Sequence, residues 1–211
     1  MDAQQTRETA VMRESKPSSS AQSVALVRAH LHASGVVDDA WVHQMLTPRR
    51  QVIARVLLAR PLTKYGQSAT FSFLGARTHF FDAAVTDAIS AGIAQVAIIG
   101  AGYDTRAWRL AAPGVRFFEV DHPATQAEKQ RRAPAGDVTY VPADLMTDSL
   151  VDLLPAAGFV AIAPTVFIVE GLTMYLPEVN TEAMFEPPMC CQGHVGVGSR
   201  GVGRGGGRGS A

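Results

Sequence analysis

Cysteine is scarce in this sequence, and neither sign of charge is in excess. The 211 residues include two cysteines, Cys190 and Cys191, which are adjacent in the chain. Adjacent cysteines do not bridge one another without strain, and no CxxC spacing is present, so the sequence predicts neither a disulfide framework nor a cysteine metal site. Nineteen basic residues balance nineteen acidic ones, which disfavours nucleic acid and anionic membranes as partners.

Long hydrophobic runs are also lacking. No apolar segment approaches the roughly 18 to 20 residues that span a bilayer, and residues 1–20 lack the apolar core of a secretory signal. His79, His122 and His194 show no metal-ligand spacing. We therefore expect a cytoplasmic protein without a metal, whose partner is a small molecule.

Both ends of the chain are expected to lie outside the folded domain. Residues 1–20 are polar and serine-rich, and residues 186–211 are rich in glycine and arginine, so each has little to bury and is predicted to be disordered. The tail lacks the interleaved aromatic residues that stack on bases, which disfavours nucleic-acid binding. Its composition also suggests a shifted reading frame near Phe185.

Between these ends, the pattern of apolar residues changes from helical spacing to short buried runs. Helices are predicted over residues 22–32, over 39–59 with a break near Pro48, and over 78–92, with residues 64–77 as a turn. Strands are predicted over residues 95–100, 115–121, 138–145 and 164–171, with helices over 124–133 and 149–158. Alternating strands and helices predict an α/β fold, a doubly wound parallel sheet with helices on both faces.

A glycine turn follows the first predicted strand. Gly100 and Gly102 allow the backbone to approach a ligand where a Cβ would collide. A dinucleotide fingerprint calls for a third glycine at position 105, and Thr105 stands there instead. A nicotinamide-dependent oxidoreductase is therefore disfavoured, whereas a tight turn without a ligand remains an alternative.

Acidic residues stand at the ends of the next three predicted strands. Asp121 is favoured to accept the hydroxyls of a ribose, with Glu119 as a solvated or ion-paired rim residue. Asp144 and Leu145 suit an adenine amine and the adenine ring. Glu170 follows four apolar residues, where a carboxylate is costly unless a cation meets it. These carboxylates are expected to line the edge at which open α/β sheets bind ligands.

Four segments together carry a family resemblance. They are FFDAAVTDAISAGIAQVAIIGAGYDTRAWRL, FFEVDHPATQAEKQRR, VPADL and PTVFIVEGLTMYL. In this order they resemble the S-adenosyl-L-methionine-dependent methyltransferases of the leucine carboxyl methyltransferase-like group, over about residues 20–185. The resemblance implies a Rossmann-like class I methyltransferase sheet with an N-terminal helical cap over residues 23–59. Family members continue beyond the last segment, so residues 21–185 are expected to form a partial domain whose fourth strand is an exposed edge.

The resemblance also implies the residues of an S-adenosyl-L-methionine site. Arg77 resembles the arginine that clamps the carboxylate of this cofactor, and Glu170 resembles the acceptor of its ammonium group. Gly100 and Gly102 would pass beneath its methionine part. The complete implied set is Arg77, Gly100, Gly102, Asp121, Asp144, Leu145 and Glu170.

The implied activity is methyl transfer, most readily to an oxygen of a small acid or hydroxylated metabolite. Such a transfer depends chiefly on proximity and orientation. A carboxylate acceptor needs no general base near neutral pH, whereas an alcohol does. Tyr175 is placed to face the acceptor pocket, although packing on the core is an equally good interpretation. The alternative function is a non-catalytic remnant that retains only the cofactor-binding motifs, and the oligomeric state stays open.

Overall fold

The computed structural model describes residues 16–58, 69–183 and 195–198. Its strands are β1 (Gln95–Ile99), β2 (Arg116–Asp121), β3 (Val138–Pro142), β4 (Thr165–Val169) and β5 (Val195–Gly198). All neighbouring strands pair in parallel, in the spatial order β3-β2-β1-β4-β5. Parallel pairing requires crossover connections, and helices supply most of them.

The helices are α1 (Ser19–Ala33), α2 (Val42–Met45), α3 (Pro48–Leu58), α4 (Ala69–Ser90), α5 (Arg106–Arg109), α6 (Pro123–Gln130), α7 (Leu150–Ala156) and α8 (Glu178–Ala183). A 3₁₀ turn covers Thr173–Tyr175. The predicted α/β class and parallel sheet are confirmed. None of the described helices is long and apolar enough to cross a bilayer.

Both faces of the sheet are covered. Phe118 and Phe167 point to the face on which Leu154 of α7 packs, whereas Phe117 and Ile168 point to the face on which Phe81 of α4 packs. Because successive strand residues alternate between faces, a sheet covered on both sides needs unbroken apolar strands. β1 and β4 are accordingly buried along their whole length.

The register brings three strand ends to one edge of the sheet. Ile99, the last residue of β1, pairs with Val120 of β2 and with Val169 of β4. β2 lies on one side of β1 and β4 lies on the other. The order in which strands are added to the sheet therefore changes direction at β1. Open α/β sheets bind ligands in the crevice at such a switch point.

α4 is longer than the sequence predicted. It begins at Ala69, inside the segment interpreted as a turn, because Phe71 and Leu74 are spaced to pack together on Leu31 of α1. Its predicted end is confirmed, since Gly92 adopts a φ of 90° and its N–H donates to the Ile89 carbonyl at 2.9 Å.

The two ends of the domain also differ from expectation. α1 begins at Ser19 because the Ser18 hydroxyl accepts the N–H of Ala21 at 3.2 Å, so the last residues of the expected leader are helical. At the other end, β5 pairs in parallel with β4 from Val195 to Gly198, so β4 is not an edge. An unpaired strand edge is a template for a further extended segment. Residues 1–15, 184–194 and 199–211, which include Cys190, Cys191 and His194, lie outside the described residues.

Candidate functional site

A cavity of about 330 Å³ opens at the carboxyl edge of β1, β2 and β4. Its volume falls within the range of small-molecule sites. α1 covers one side of it, through Ala21, Val24 and Arg28. Most of the residues implied by the resemblance line this cavity, namely Arg77, Gly100, Gly102, Asp121, Glu170 and Tyr175.

The glycine turn forms the floor of the cavity. Gly100 and Gly102 adopt φ values of 69° and 49°, in the left-handed region that glycine occupies without a steric penalty. The N–H groups of Gly100 and Ala101 both donate to the Val120 carbonyl, at 2.8 and 3.0 Å. A Cβ on Gly100 would lie 2.9 Å from Leu172 Cδ1. The turn is therefore fixed to β2 and closely packed.

Replacing Gly102 with alanine is expected to lower the free energy of unfolding by about 2 to 4 kcal/mol, from left-handed strain together with overpacking. The new Cβ would lie 3.0 Å from the Cβ of Ala21 in α1. Gly114→Ala is the matched control, because Gly114 has a φ of 78° and nothing within 4 Å of its Cβ position. Urea unfolding should give the smaller loss for Gly114→Ala, and equal losses would contradict close packing of α1 on the turn.

Asp121 ties the turn to the end of β2. Its Oδ2 accepts the N–H of Gly102 at 2.6 Å, and its Oδ1 accepts the N–H of His122 at 2.7 Å. Burial raises the pKa of Asp121, and these backbone hydrogen bonds oppose that rise. Each oxygen keeps a further lone pair, so the carboxylate can accept two ligand hydroxyls.

Glu170 is paired on both of its oxygens. Arg77 Nε lies 2.8 Å from Oε1, and Arg106 Nη1 donates to Oε2 at 2.7 Å. The sequence predicted that a cation meets Glu170, and two guanidiniums do so. Because Arg77 and Glu170 both line the cavity, a ligand meets a donor and an acceptor side by side.

Sequence reasoning missed the buried cluster around Arg106. The Arg106 side chain is 2% exposed and also contacts Asp104 and Asp82, the latter at 2.7 Å. Burial alone would raise the pKa of Asp104, but the guanidiniums of Arg106 and Arg28 outweigh it and hold that pKa well below its usual range. The available signal was charge in the segment DTRAWRL, which begins shortly after the buried strand β1.

Thr105, which stands where a dinucleotide fingerprint has its third glycine, takes part in a buried hydrogen-bond network. Its hydroxyl donates to Asp39 Oδ1 at 2.7 Å and accepts from Arg28 Nη2 at 3.1 Å. Arg28 in turn donates to Asp39 Oδ2 at 2.9 and 2.6 Å. This buried network joins the N-terminal helices to the glycine turn.

Glu119 is not a solvated rim residue. It is completely buried, and Lys129 Nζ of α6 donates to its Oε2 at 2.5 Å, so the ion-paired interpretation is confirmed. Burial raises the pKa of Glu119 to about 7, although Lys129 opposes the shift. Glu119 does not line the cavity and therefore is not placed to contact a ligand bound there.

The raised pKa of Glu119 makes stability depend on pH. The folded protein holds this proton more tightly than the unfolded chain, whose carboxyl has a pKa of about 4.3, so the stabilisation is present below that value and is lost as the pH rises through 7. Relative to that of Glu119→Gln, the free energy of unfolding of the wild type should fall by on the order of 1 kcal/mol per pH unit as the pH rises from about 5 to 7. Urea unfolding across this range measures it, and a pH-independent difference would contradict it.

Asp144 and Leu145 lie after β3, outside the lining of the described cavity. Asp144 Oδ1 accepts the N–H of Met146 at 3.0 Å, and the Leu145 carbonyl accepts from Asn180 Nδ2 at 3.1 Å. Tyr175 lies on the open side of the cavity and is 60% exposed, so it does not pack in the core. Within the described part of the chain, no group of three or more His, Cys, Asp or Glu residues could hold a metal ion.

Comparisons with known proteins identify the family to which this sequence is similar. Residues 20–187 match the family described as Leucine carboxyl methyltransferase. A relative from Mycobacterium avium (strain 104) is 37% identical over 158 residues, which cover 71% of this chain and 49% of the relative. A relative from Mycobacterium marinum (strain ATCC BAA-535 / M) is 40% identical over 144 residues, which cover 64% and 45%.

Both relatives bear the name "Putative S-adenosyl-L-methionine-dependent methyltransferase". The chain spans about half or less of the length of these relatives. The family match covers most of the sequence and includes every cavity-lining residue except Ser18. The chain therefore belongs to the leucine carboxyl methyltransferase family.

Proposed function

We propose that the cavity binds S-adenosyl-L-methionine and that the protein transfers the methyl group to an oxygen of a small acid or hydroxylated metabolite. One observation carries the proposal: the Arg77–Glu170 pair, the glycine turn and Asp121 all line a single cavity at the switch point of the sheet. Family membership supports the same assignment.

The amino-acid end of the cofactor fits the Arg77–Glu170 pair. A zwitterion carries one carboxylate and one ammonium, and the pair offers a guanidinium and a carboxylate that are 2.8 Å apart. A guanidinium can bind a carboxylate through two parallel hydrogen bonds. We assign Arg77 to the cofactor carboxylate and Glu170 to its ammonium.

The nucleoside end of the cofactor carries no phosphate, and this suits the cavity. The N–H of Gly102 donates to Asp121, and those of Gly100 and Ala101 donate to Val120, so none of these three groups is free to bind a pyrophosphate. The carboxylates of Asp104 and Asp121 also line the cavity, and they favour a sulfonium over a phosphate. Asp121 is assigned to the ribose hydroxyls.

The adenine is assigned to the neighbouring strand end. Since β3 pairs with β2 next to Asp121, a nucleoside held by Asp121 can extend along the edge to Asp144 and Leu145. Leu145 is partly buried against the core and offers an apolar surface. The Asp144 carboxylate has lone pairs left to accept the adenine amine.

The bound cofactor would supply a methyl group on a positively charged sulfur. The work left to this chain is to hold the acceptor in line and to limit water. Met174 and Tyr175 line the open side, where we place the acceptor. A carboxylate acceptor needs no proton transfer from the protein.

Calorimetric titration tests the proposal. S-adenosylhomocysteine should bind at one site per chain, and NAD⁺ should neither bind nor compete. No heat with S-adenosylhomocysteine, from protein that unfolds cooperatively, would contradict the proposal. Transfer of labelled methyl to panels of small acids and alcohols then identifies the acceptor class, because a methyl ester is released by mild base and a methyl ether is not.

The alternative is binding without turnover. It is favoured by the open acceptor side, where Met174 and Tyr175 are 74% and 60% exposed, since methyl transfer benefits from a site that excludes water. Saturable binding of S-adenosylhomocysteine together with no transfer to any acceptor in the panel would support this alternative.

A further inference from the structure

Arg106 connects three carboxylates from three different parts of the fold. Its Nε donates to Asp82 of α4 at 2.7 Å, and its Nη1 donates to Asp104 of the glycine turn and to Glu170, after β4, at 2.7 Å. Asp104 and Glu170 line the cavity, whereas Arg106 does not. We propose that Arg106 is a positioning residue that aims Glu170 and Asp104 at the amino-acid end of the cofactor; this inference rests on the proposed function.

The geometry explains why Glu170 needs a second guanidinium. Arg77 contacts Oε1 and Arg106 contacts Oε2, so the carboxylate plane is fixed from both sides. With Arg77 alone, the carboxylate could rotate and let Arg77 bind both of its oxygens, which would occupy the donors assigned to the ligand. Arg106 therefore keeps Arg77 and Glu170 separately available to the cavity.

The rigid shape of the guanidinium is part of this role. Two of its nitrogens contact Asp82, Asp104 and Glu170, and its backbone N–H donates to Asp104 Oδ1 at 2.7 Å. A lysine at this position would keep the positive charge, but its ammonium is a point charge on a flexible stem and does not reproduce the planar fork. Arg106→Lys is thus a test of orientation more than of charge.

Arg109 provides a matched control. It lies one helical turn from Arg106 and binds the same partner, Asp82, at 2.7 and 3.0 Å. Its side chain is 9% exposed, so it is nearly as buried. It is absent from the cavity lining, and within the described part of the chain its ion pairs are with Asp39 and Asp82.

Two ligands separate positioning from general stability. S-adenosylhomocysteine carries the amino-acid end, and 5′-methylthioadenosine has the same nucleoside without that end. Arg106→Lys should weaken the binding of S-adenosylhomocysteine about tenfold, which is the effect of one charge-assisted hydrogen bond. The affinity for 5′-methylthioadenosine should stay within about twofold of that of the wild type. Arg109→Lys should leave both affinities within about twofold.

The outcomes are distinct. Equal weakening of both ligands by Arg106→Lys, or no weakening of either, would overturn the positioning role. If wild-type protein binds neither ligand, the proposed function itself fails. Should Arg106→Lys not fold, Asp82→Ala removes both carboxylate oxygens that hold Arg106 Nε and Arg109 without altering the cavity lining, and Arg109→Lys controls for the second contact. A selective loss of S-adenosylhomocysteine affinity in that variant supports the role, and an unselective or absent loss overturns it.

Discussion

Replacing Asp39 with alanine is expected to lower the free energy of unfolding by about 3 to 5 kcal/mol, the cost of leaving buried charged partners unpaired. Asp39 is completely buried and accepts hydrogen bonds from Arg28 and Thr105. Its removal leaves the guanidinium of Arg28 in the interior without its carboxylate. Urea unfolding followed by circular dichroism measures the loss.

Asp38 is the matched control for this change. It precedes Asp39 in the chain and its side chain is exposed, so Asp38→Ala should change the free energy of unfolding by no more than about 0.5 kcal/mol. Similar losses in the two variants would show that the buried network does not hold the N-terminal helices on the glycine turn.

Replacing Asp121 with alanine is expected to weaken S-adenosylhomocysteine binding by about tenfold to a hundredfold. Under the proposed function, the variant loses the acceptor of the ribose hydroxyls. It also loses the acceptor that fixes the N–H of Gly102, so the turn beneath the ligand is released as well. Calorimetric titration of folded variant protein measures the change.

Asp137→Ala is the matched control for Asp121→Ala. Asp137 is an exposed carboxylate directly before β3, at the opposite edge of the sheet from Asp121. This variant should bind S-adenosylhomocysteine as the wild type does. Unchanged affinity in Asp121→Ala would remove Asp121 from the ribose site, and Glu119 could not replace it because that side chain is buried with Lys129.

The sheet and its ligand-binding edge could be predicted from the sequence because their signals are local. Short apolar runs such as residues 95–99 read as buried strands, and the residue after each strand falls at a known edge once the strands are parallel. On this basis Gly100, Asp121 and Glu170 are predicted to lie at one edge of the sheet, and all three line the cavity. The same reasoning failed at the start of α4, where packing of Phe71 against α1 outweighs the turn-like composition.

The buried charge networks could not be predicted in the same way, because they join residues that are distant in sequence. Thr105 and Asp39 are 66 positions apart, and Arg106 and Glu170 are 64 apart. Glu119 and Asp121 show the same limit, since alternation places both on one face of β2. Lys129 on α6 forms a buried ion pair with Glu119, whereas Asp121 lies in the cavity wall. The strand pattern alone does not distinguish these two positions.

The proposed function depends on the identity of the ligand in the cavity, and a crystal structure of the protein with S-adenosylhomocysteine tests it most directly. The predicted result is electron density between α1 and the glycine turn, with the amino-acid end at Arg77 and Glu170 and the ribose at Asp121. An empty cavity at saturating ligand, or the ligand bound on another surface of the protein, would contradict the account.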